Sequence, residues 1–196
     1  MRTVTTENLY LEGEEKFGPV TSFLFGLSSI VLNKYYDAIV EDLKGKKFSS
    51  LLDLGCGRGN LLIKLAGELQ TPSFYGLDPS PYMLKSAQKN LTKKELTSRL
   101  KVKIGSSRVI PFEEKFDAII SSFSYHHWKD RDSSIASIAS HLSDDGFISI
   151  YEHEAGRDRI SKAHGIKESD WEHLEIEGLK KTVTHNNGLI ILTLTR

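Results

Sequence analysis

Residues 51–66 limit what this chain can become more than any other stretch. Leu51-Leu52-Asp53-Leu54 is an apolar run of the kind that forms a strand buried on both faces. It stops at three alternate glycines, Gly55, Gly57 and Gly59, and Leu61-Leu62-Ile63-Lys64-Leu65-Ala66 then reads as a helix. A strand that ends in glycines and re-enters as a helix leaves main-chain N–H groups free at the positive end of the helix dipole. Glycines there permit a tight turn and let a ligand approach the backbone where a Cβ would block it. An ordinary βα turn needs one such glycine, whereas three alternate ones after a buried strand point to a small-molecule site.

The pattern that follows repeats strand and helix. Phe74 to Asp78 is a second strand, and Ser80-Pro81 opens a helix over Tyr82 to Leu91, with a serine cap and proline in its first turn. Leu100 to Ile104 and Phe116 to Ile120 are the third and fourth strands. Asp132 to Leu142 is a helix, and Asp144-Asp145-Gly146 turns into a fifth strand, Phe147 to Tyr151. Such alternation implies an α/β fold, a doubly wound, mostly parallel sheet with helices on both faces and ligands at the carboxyl ends of its strands. The end of the chain changes character. Leu174 to Thr184 and Leu189 to Thr195 are β-rich runs joined by His185-Asn186-Asn187-Gly188, and Asn-Gly between two such runs signals a hairpin. The polar stretch from Arg157 to Trp171 is helical or irregular.

With 196 residues the chain suits one domain, 1–196, able to bury a core without disulfides. Residues 1–45 form an arm and a helical cap, 46–155 a ligand-binding core, and 156–196 a substrate-side segment ending in the hairpin. Met1 to Phe17 reads as a loosely docked arm, and Thr21 to Lys44 as one or two helices whose apolar stripe is core packing, with Phe25, Tyr35 and Tyr36 placed to face a substrate. Lys plus Arg and Asp plus Glu both number 26, so the formal charge is zero, which speaks against a strong nucleic-acid footprint without excluding one. Lys85, Lys89, Lys93, Lys94, Arg99, Lys101 and Lys103 are dense enough to keep an RNA partner open, although a solvated face explains them too. The single cysteine, Cys56, fits a turn-filling side chain, allows no disulfide framework, and makes a reducing, cytoplasmic setting the expectation. The polar, acidic start is unlike a signal peptide, and Phe17 to Leu32 is too short and too polar for a membrane span.

Asp78 closes the second strand about 20 residues past the glycines, where a carboxylate can accept both hydroxyls of a ribose. Nicotinamide sites use GxGxxG, whose third glycine would fall at Asn60; this chain has GxGxG instead. From about Tyr35 to Arg196 the chain resembles the class I S-adenosylmethionine-dependent methyltransferases. The resembling motifs are Leu51 to Gly59, Tyr75-Gly76-Leu77-Asp78, Phe116 to Ser122 and Leu142 to Phe147, in that order. The resemblance implies a seven-stranded Rossmann-like sheet with its last strand antiparallel, and S-adenosyl-L-methionine as cofactor.

It also implies site residues. The methionine end lies over Gly55, Cys56, Gly57 and Gly59, with Asp53 toward its amino group. Asp78 takes the ribose, and Pro79 and Met83 lie near the adenine. The family's acidic residue after the third strand is replaced here by Ser106, followed by Ser107, and Ser121 and Ser122 flank the sulfonium. A base is needed only where the acceptor atom must lose a proton, and His126, His127 and His153 are the candidates, at the carboxyl ends of the fourth and fifth strands. A His/Glu metal site lacks a definite ligand spacing, so none is expected. An Asn-Pro-Pro-Tyr-type motif, which marks amide- and adenine-directed members, is absent after the fourth strand. Small size and the lack of an appended binding domain favour a small-molecule methyl acceptor. The alternatives are an RNA or protein methyltransferase, or a non-catalytic S-adenosylmethionine-binding protein.

Overall fold

The computed structural model describes residues 19–70, 73–128, 130–156 and 165–196, with side chains from residue 32 onward. The N-terminal arm, the side chain of Phe25 and part of the polar stretch after Arg157 lie outside the described residues. Among the described residues a single helix, α1 (Pro19–Lys44), precedes the sheet and ends on Lys44, a cation at the negative end of its dipole. The core is β1 (Ser50–Leu54), α2 (Asn60–Glu68), β2 (Ser73–Asp78), α3 (Pro81–Lys93), β3 (Leu100–Ile104), β4 (Phe116–Ser122), α4 (Arg131–Ser140) and β5 (Leu142–His153). A hairpin of β6 (Lys180–Asn186) and β7 (Leu189–Thr195) completes it. Ser80 caps α3, its hydroxyl accepting from the Met83 N–H with Pro81 at the first position, as the sequence implies.

All seven strands form one sheet in the order β3-β2-β1-β4-β5-β7-β6. The first five are parallel to one another, and β7 runs antiparallel to both β5 and β6. Adjacent residues of one strand serve two cores. Leu51 packs with Ile39, Leu43, Leu62 and Leu65 under α1 and α2, while Leu52 packs with Phe116, Ile119 and Ile138 on the α4 side. Burial on both faces explains why these strands read as unbroken apolar runs.

Three boundaries differ from expectation. Helix α4 stops at Ser140, because Leu142 pairs with Phe116 and is fully buried as the first residue of β5. The register then jumps, Ala118 pairing with Phe147, so Asp144-Asp145-Gly146 is a bulge inside β5 and not a turn before it. The run from Leu174 yields no strand until Lys180, since Leu179 N–H closes a turn onto Ile176 O at 3.0 Å. The hairpin turn itself is two residues, Asn187 (φ 49°) and Gly188 (φ 86°), both left-handed as a tight hairpin requires.

Two polar clamps place the elements around the sheet. At the amino end of β4, Asp117 accepts hydrogen bonds from Ser49 N–H (2.8 Å), the Ser49 hydroxyl and the Ser143 hydroxyl (3.0 Å). Under β5, the buried Tyr151 hydroxyl donates to Asp42 of α1 at 2.7 Å, and Lys46 meets the same carboxylate oxygen at 2.6 Å. The second clamp pins the last turns of α1 to the sheet, which sets Leu32, Tyr35 and Tyr36 above the carboxyl ends of the strands.

Candidate active site

The turn between β1 and α2 is stitched to the end of β2. Gly55 N–H and Cys56 N–H both donate to Leu77 O at 2.8 Å, and Gly57 N–H donates to Asp78 Oδ2 at 2.9 Å. The glycines differ in what they do. A Cβ on Gly55 would sit 2.6 Å from Ser124 Oγ, so this position is closed by the protein itself. A Cβ on Gly57 (φ +54°) would meet nothing within 4 Å: main chain there borders open space. Gly59 (φ 75°) is the residue before α2 and does not border the cleft. Cys56 is buried against Gly76, and burial, followed by the nearby Asp78 and Asp53 carboxylates, pushes its thiol well above its usual range. It is a filler, not a nucleophile.

A cleft opens over this turn at the carboxyl ends of β1, β2 and β4. Of the residues singled out from the sequence, Asp53, Gly55, Cys56, Gly57, Asp78, Pro79, Met83, Ser106, Ser107, Ser122 and His127 border it. The two aspartates differ. Asp78 holds the Gly57 N–H on Oδ2 and the Ser80 N–H (2.8 Å) on Oδ1; burial raises its pKa, those two N–H groups offset part of the rise, and it stands at about 6. Asp53 is 1% exposed, and among the described residues neither oxygen has a hydrogen-bond partner. Burial first, and the Asp78 charge second, push it up to about 8. A buried carboxylate without a donor is costly, and the cleft is the side from which a donor can come. The Tyr36 hydroxyl shares this wall and is raised by burial and by Asp53.

Other expected residues turn away. Ser121 and Ser122 alternate across the sheet: Ser122 borders the cleft, while the Ser121 hydroxyl shares a 2.7 Å hydrogen bond with Ser124, which donates to Leu54 O at 3.0 Å. His126 is braced by the fully buried Glu152, which accepts from its main-chain N–H (3.3 Å) and lies 3.0 Å from its Nδ1. His153 is stacked on Phe123 (centroids 4.4 Å, 22°) and meets the edge of Tyr35 at 4.7 Å. Neither ring borders the cleft; of the three expected histidines, His127 does. Tyr36 borders the cleft, whereas Tyr35 is buried against Phe123 and His153 and does not.

Sequence reasoning missed Leu32, Arg58, Asn60, Phe123, Ser124 and Trp128, all of which border the cleft. Asn60 opens α2 directly after the glycines, and Phe123 to Trp128 follow the fourth-strand motif without a break, so adjacency was the available signal. Among the described residues no group of three or more His, Cys, Asp or Glu is arranged to hold a metal ion, and no helix is long and apolar enough to cross a membrane.

Residues 51–146, which supply the stitched turn, both aspartates and His127, match the family model described as a methyltransferase domain. Over those residues the chain is similar to the methyltransferase-domain family. An uncharacterised methyltransferase of Bacillus mycoides is 30% identical over 102 residues, 52% of this chain and 45% of that protein, so the chain spans about half the length of the curated relatives it matches. Among solved structures, a Methanococcus maripaludis protein assigned as an S-adenosyl-L-methionine-dependent methyltransferase superposes with a TM-score of 0.75 at 23% identity, over 95% of this chain and 97% of that one. A SAM-dependent methyltransferase from Aquifex aeolicus gives 0.70 at 17% identity, over 81% and 88%. These two likenesses establish the shared methyltransferase fold. S-adenosylmethionine fits the residues present: it carries an ammonium that suits the unpartnered Asp53, and bare main chain at Gly57 lets it lie close.

Proposed function

We propose that this chain transfers a methyl group from S-adenosyl-L-methionine to a small-molecule acceptor. The observation that carries the reading is the orphaned Asp53 carboxylate beside open main chain at Gly57. In this reading Asp53 takes the cofactor's ammonium and Asp78 its ribose hydroxyls. Pro79, Met83, Ser106 and Ser107 border the adenine. The bound cofactor supplies a methyl on a cationic sulfur, already a good leaving group. The protein's task is then alignment and exclusion of water, and alignment alone supplies effective molarities on the order of 10⁵ M or more. Ser122 stands beside the sulfonium, and His127 accepts a proton where the acceptor must lose one. His126, held by Glu152, fixes the turn that carries His127. His153 supports Phe123.

Part of the cationic run on α3 and β3 already has structural work, which favours a small acceptor over RNA. The Arg99 guanidinium donates to Ala66 O (3.1 Å) and Leu69 O (3.2 Å). The Lys101 ammonium lies 5.5 Å from the Tyr75 ring centroid and that of Lys103 4.4 Å from Phe112, both shielding the edge strand β3. We place the activity in the cytoplasm, where a buried lone thiol such as Cys56 stays reduced. Calorimetric titration with S-adenosylmethionine and S-adenosylhomocysteine tests the cofactor, and S-adenosylhomocysteine release in the presence of metabolite pools tests turnover. Micromolar binding and product release are expected; no binding of either ligand refutes the reading.

A further inference from the structure

Phe123 is a bulky residue in the left-handed region (φ 55°), a backbone state that costs on the order of 1–3 kcal/mol and persists only where its surroundings hold it. Here they do. Its N–H donates to Tyr151 O at 2.9 Å, its ring is stacked on His153, and the rings of Tyr35 and Tyr36 lie 5.8 and 6.4 Å away. The result is an aromatic face fixed at the end of β4 and bordering the cleft.

The opposite wall is aromatic too. Phe123 packs with the core under α1, whereas Trp128 packs with the core on the α4 side, 5.1 Å from Tyr125. The two rings therefore approach the cleft from opposite faces of the sheet, with Ser122 and His127 also at its border. A slot walled by rings from two layers fits a flat molecule. Charge narrows the class further. Among the described residues Arg58, in the glycine turn, is the one Lys or Arg that borders the cleft, and the buried Asp78 carboxylate, still mostly ionised at neutral pH, makes the interior unfavourable for an anion. A cationic acceptor would stand against the sulfonium.

We propose that the acceptor is a flat, uncharged aromatic molecule bearing a hydroxyl, held between Phe123 and Trp128 with that hydroxyl toward Ser122 and His127. This rests on the methyltransferase reading above and names its substrate class. In the reaction a lone pair on the acceptor oxygen forms the new O–CH3 bond as the methyl–sulfur bond breaks. The breaking pair stays on sulfur, leaving a neutral thioether, and the hydroxyl proton passes to the His127 imidazole. Atoms and charge balance without another reagent.

The test uses the full chain saturated with S-adenosylhomocysteine, titrated by calorimetry with 2-naphthol, its saturated counterpart decahydro-2-naphthol, and 2-naphthyl phosphate. The aromatic alcohol should bind about tenfold tighter than the saturated one, since each ring pair adds about 0.5–1.5 kcal/mol. The phosphate should bind more weakly than the alcohol. Phe123→Asn keeps a residue that tolerates left-handed φ and removes the ring. It should lower naphthol affinity about tenfold while S-adenosylhomocysteine affinity stays within twofold, which also reports a folded site. Trp128→Leu probes the other wall and should act alike. Equal binding of the two alcohols, tighter binding of the phosphate, or unchanged naphthol affinity in both variants overturns the proposal while leaving the methyltransferase reading in place. Failure of the wild type to bind S-adenosylhomocysteine overturns both.

Discussion

Asp117 and Asp53 stand at opposite ends of the same sheet and have opposite surroundings. Asp117, at the start of β4, accepts from two serine hydroxyls and a main-chain N–H, and those bonds, the Ser49 hydroxyl first, hold its carboxyl below the usual range. Asp53, near the end of β1, has no donor among the described residues and is pushed up to about 8. Donors were within the chain's means at one end and withheld at the other. The fold completes its own hydrogen bonds at Asp117 and leaves the Asp53 carboxylate incomplete at the border of the cleft.

Substitutions can break this contrast, and the largest effect is expected from closing the ligand's side. Gly57→Val puts a branched side chain at φ +54° into the open space and should reduce S-adenosylhomocysteine affinity at least about a hundredfold by calorimetry. Asp78→Ala comes next, with a loss of about a hundredfold. Because Asp78 also ties Gly57 N–H and Ser80 N–H, it should cost about 1–3 kcal/mol in denaturant unfolding as well, so the fold does not escape untouched.

Asp53→Asn should weaken the same ligand about thirtyfold yet raise the melting temperature of the free protein. Its pH dependence sharpens the point. The native Asp53 pKa of about 8 lies above its ordinary value of 3.8, so between those limits the native state binds the extra proton. Stability contributed by that proton is full below pH 4 and declines as pH rises toward about 8. Asp53→Asn should remove most of that decline, with Asp78 supplying a smaller part up to about pH 6. Asp117 has the opposite sign: its contribution is present above its ordinary value and lost as pH falls through its lowered one. The smallest effect belongs there. Asp117→Ala should lower the melting temperature by a few degrees and leave S-adenosylhomocysteine affinity unchanged; altered affinity would mean the two ends of the sheet are coupled.

The half of the site built from β1, β2 and their turns was legible because its signals are local. Glycines, a serine cap and a strand-end aspartate each act within a few residues of where they stand. The wall of the cleft beyond β4 depends on contacts distant in sequence. The Tyr151–Asp42 bond that positions α1 joins residues 109 apart, and Glu152 reaches His126 across 26. Nothing near Phe123 in the sequence announces a left-handed backbone. Ser121 is a different case: alternation along β4 already separates it from Ser122, and the period of a strand was enough to tell which one faces the cleft. The bulge at Asp144-Asp145-Gly146 looked like a turn because both use the same residues; only the pairing of Leu142 with Phe116 distinguishes them.

The stitching of Gly55, Cys56 and Gly57 onto Leu77 and Asp78 makes two turns from separate βα units a single mechanical part. On the proposed reading, the group assigned to the sugar and the loop assigned to the methionine end are therefore kept in step. Slack introduced at either tip is felt at the other, and the spacing between them follows from the β1–β2 register and the Asp78 carboxylate that receives Gly57 N–H. Variation in this cleft is consequently cheapest far from that seam, at the aromatic rings over β4, where on the proposed reading a new acceptor can be accommodated without disturbing the donor.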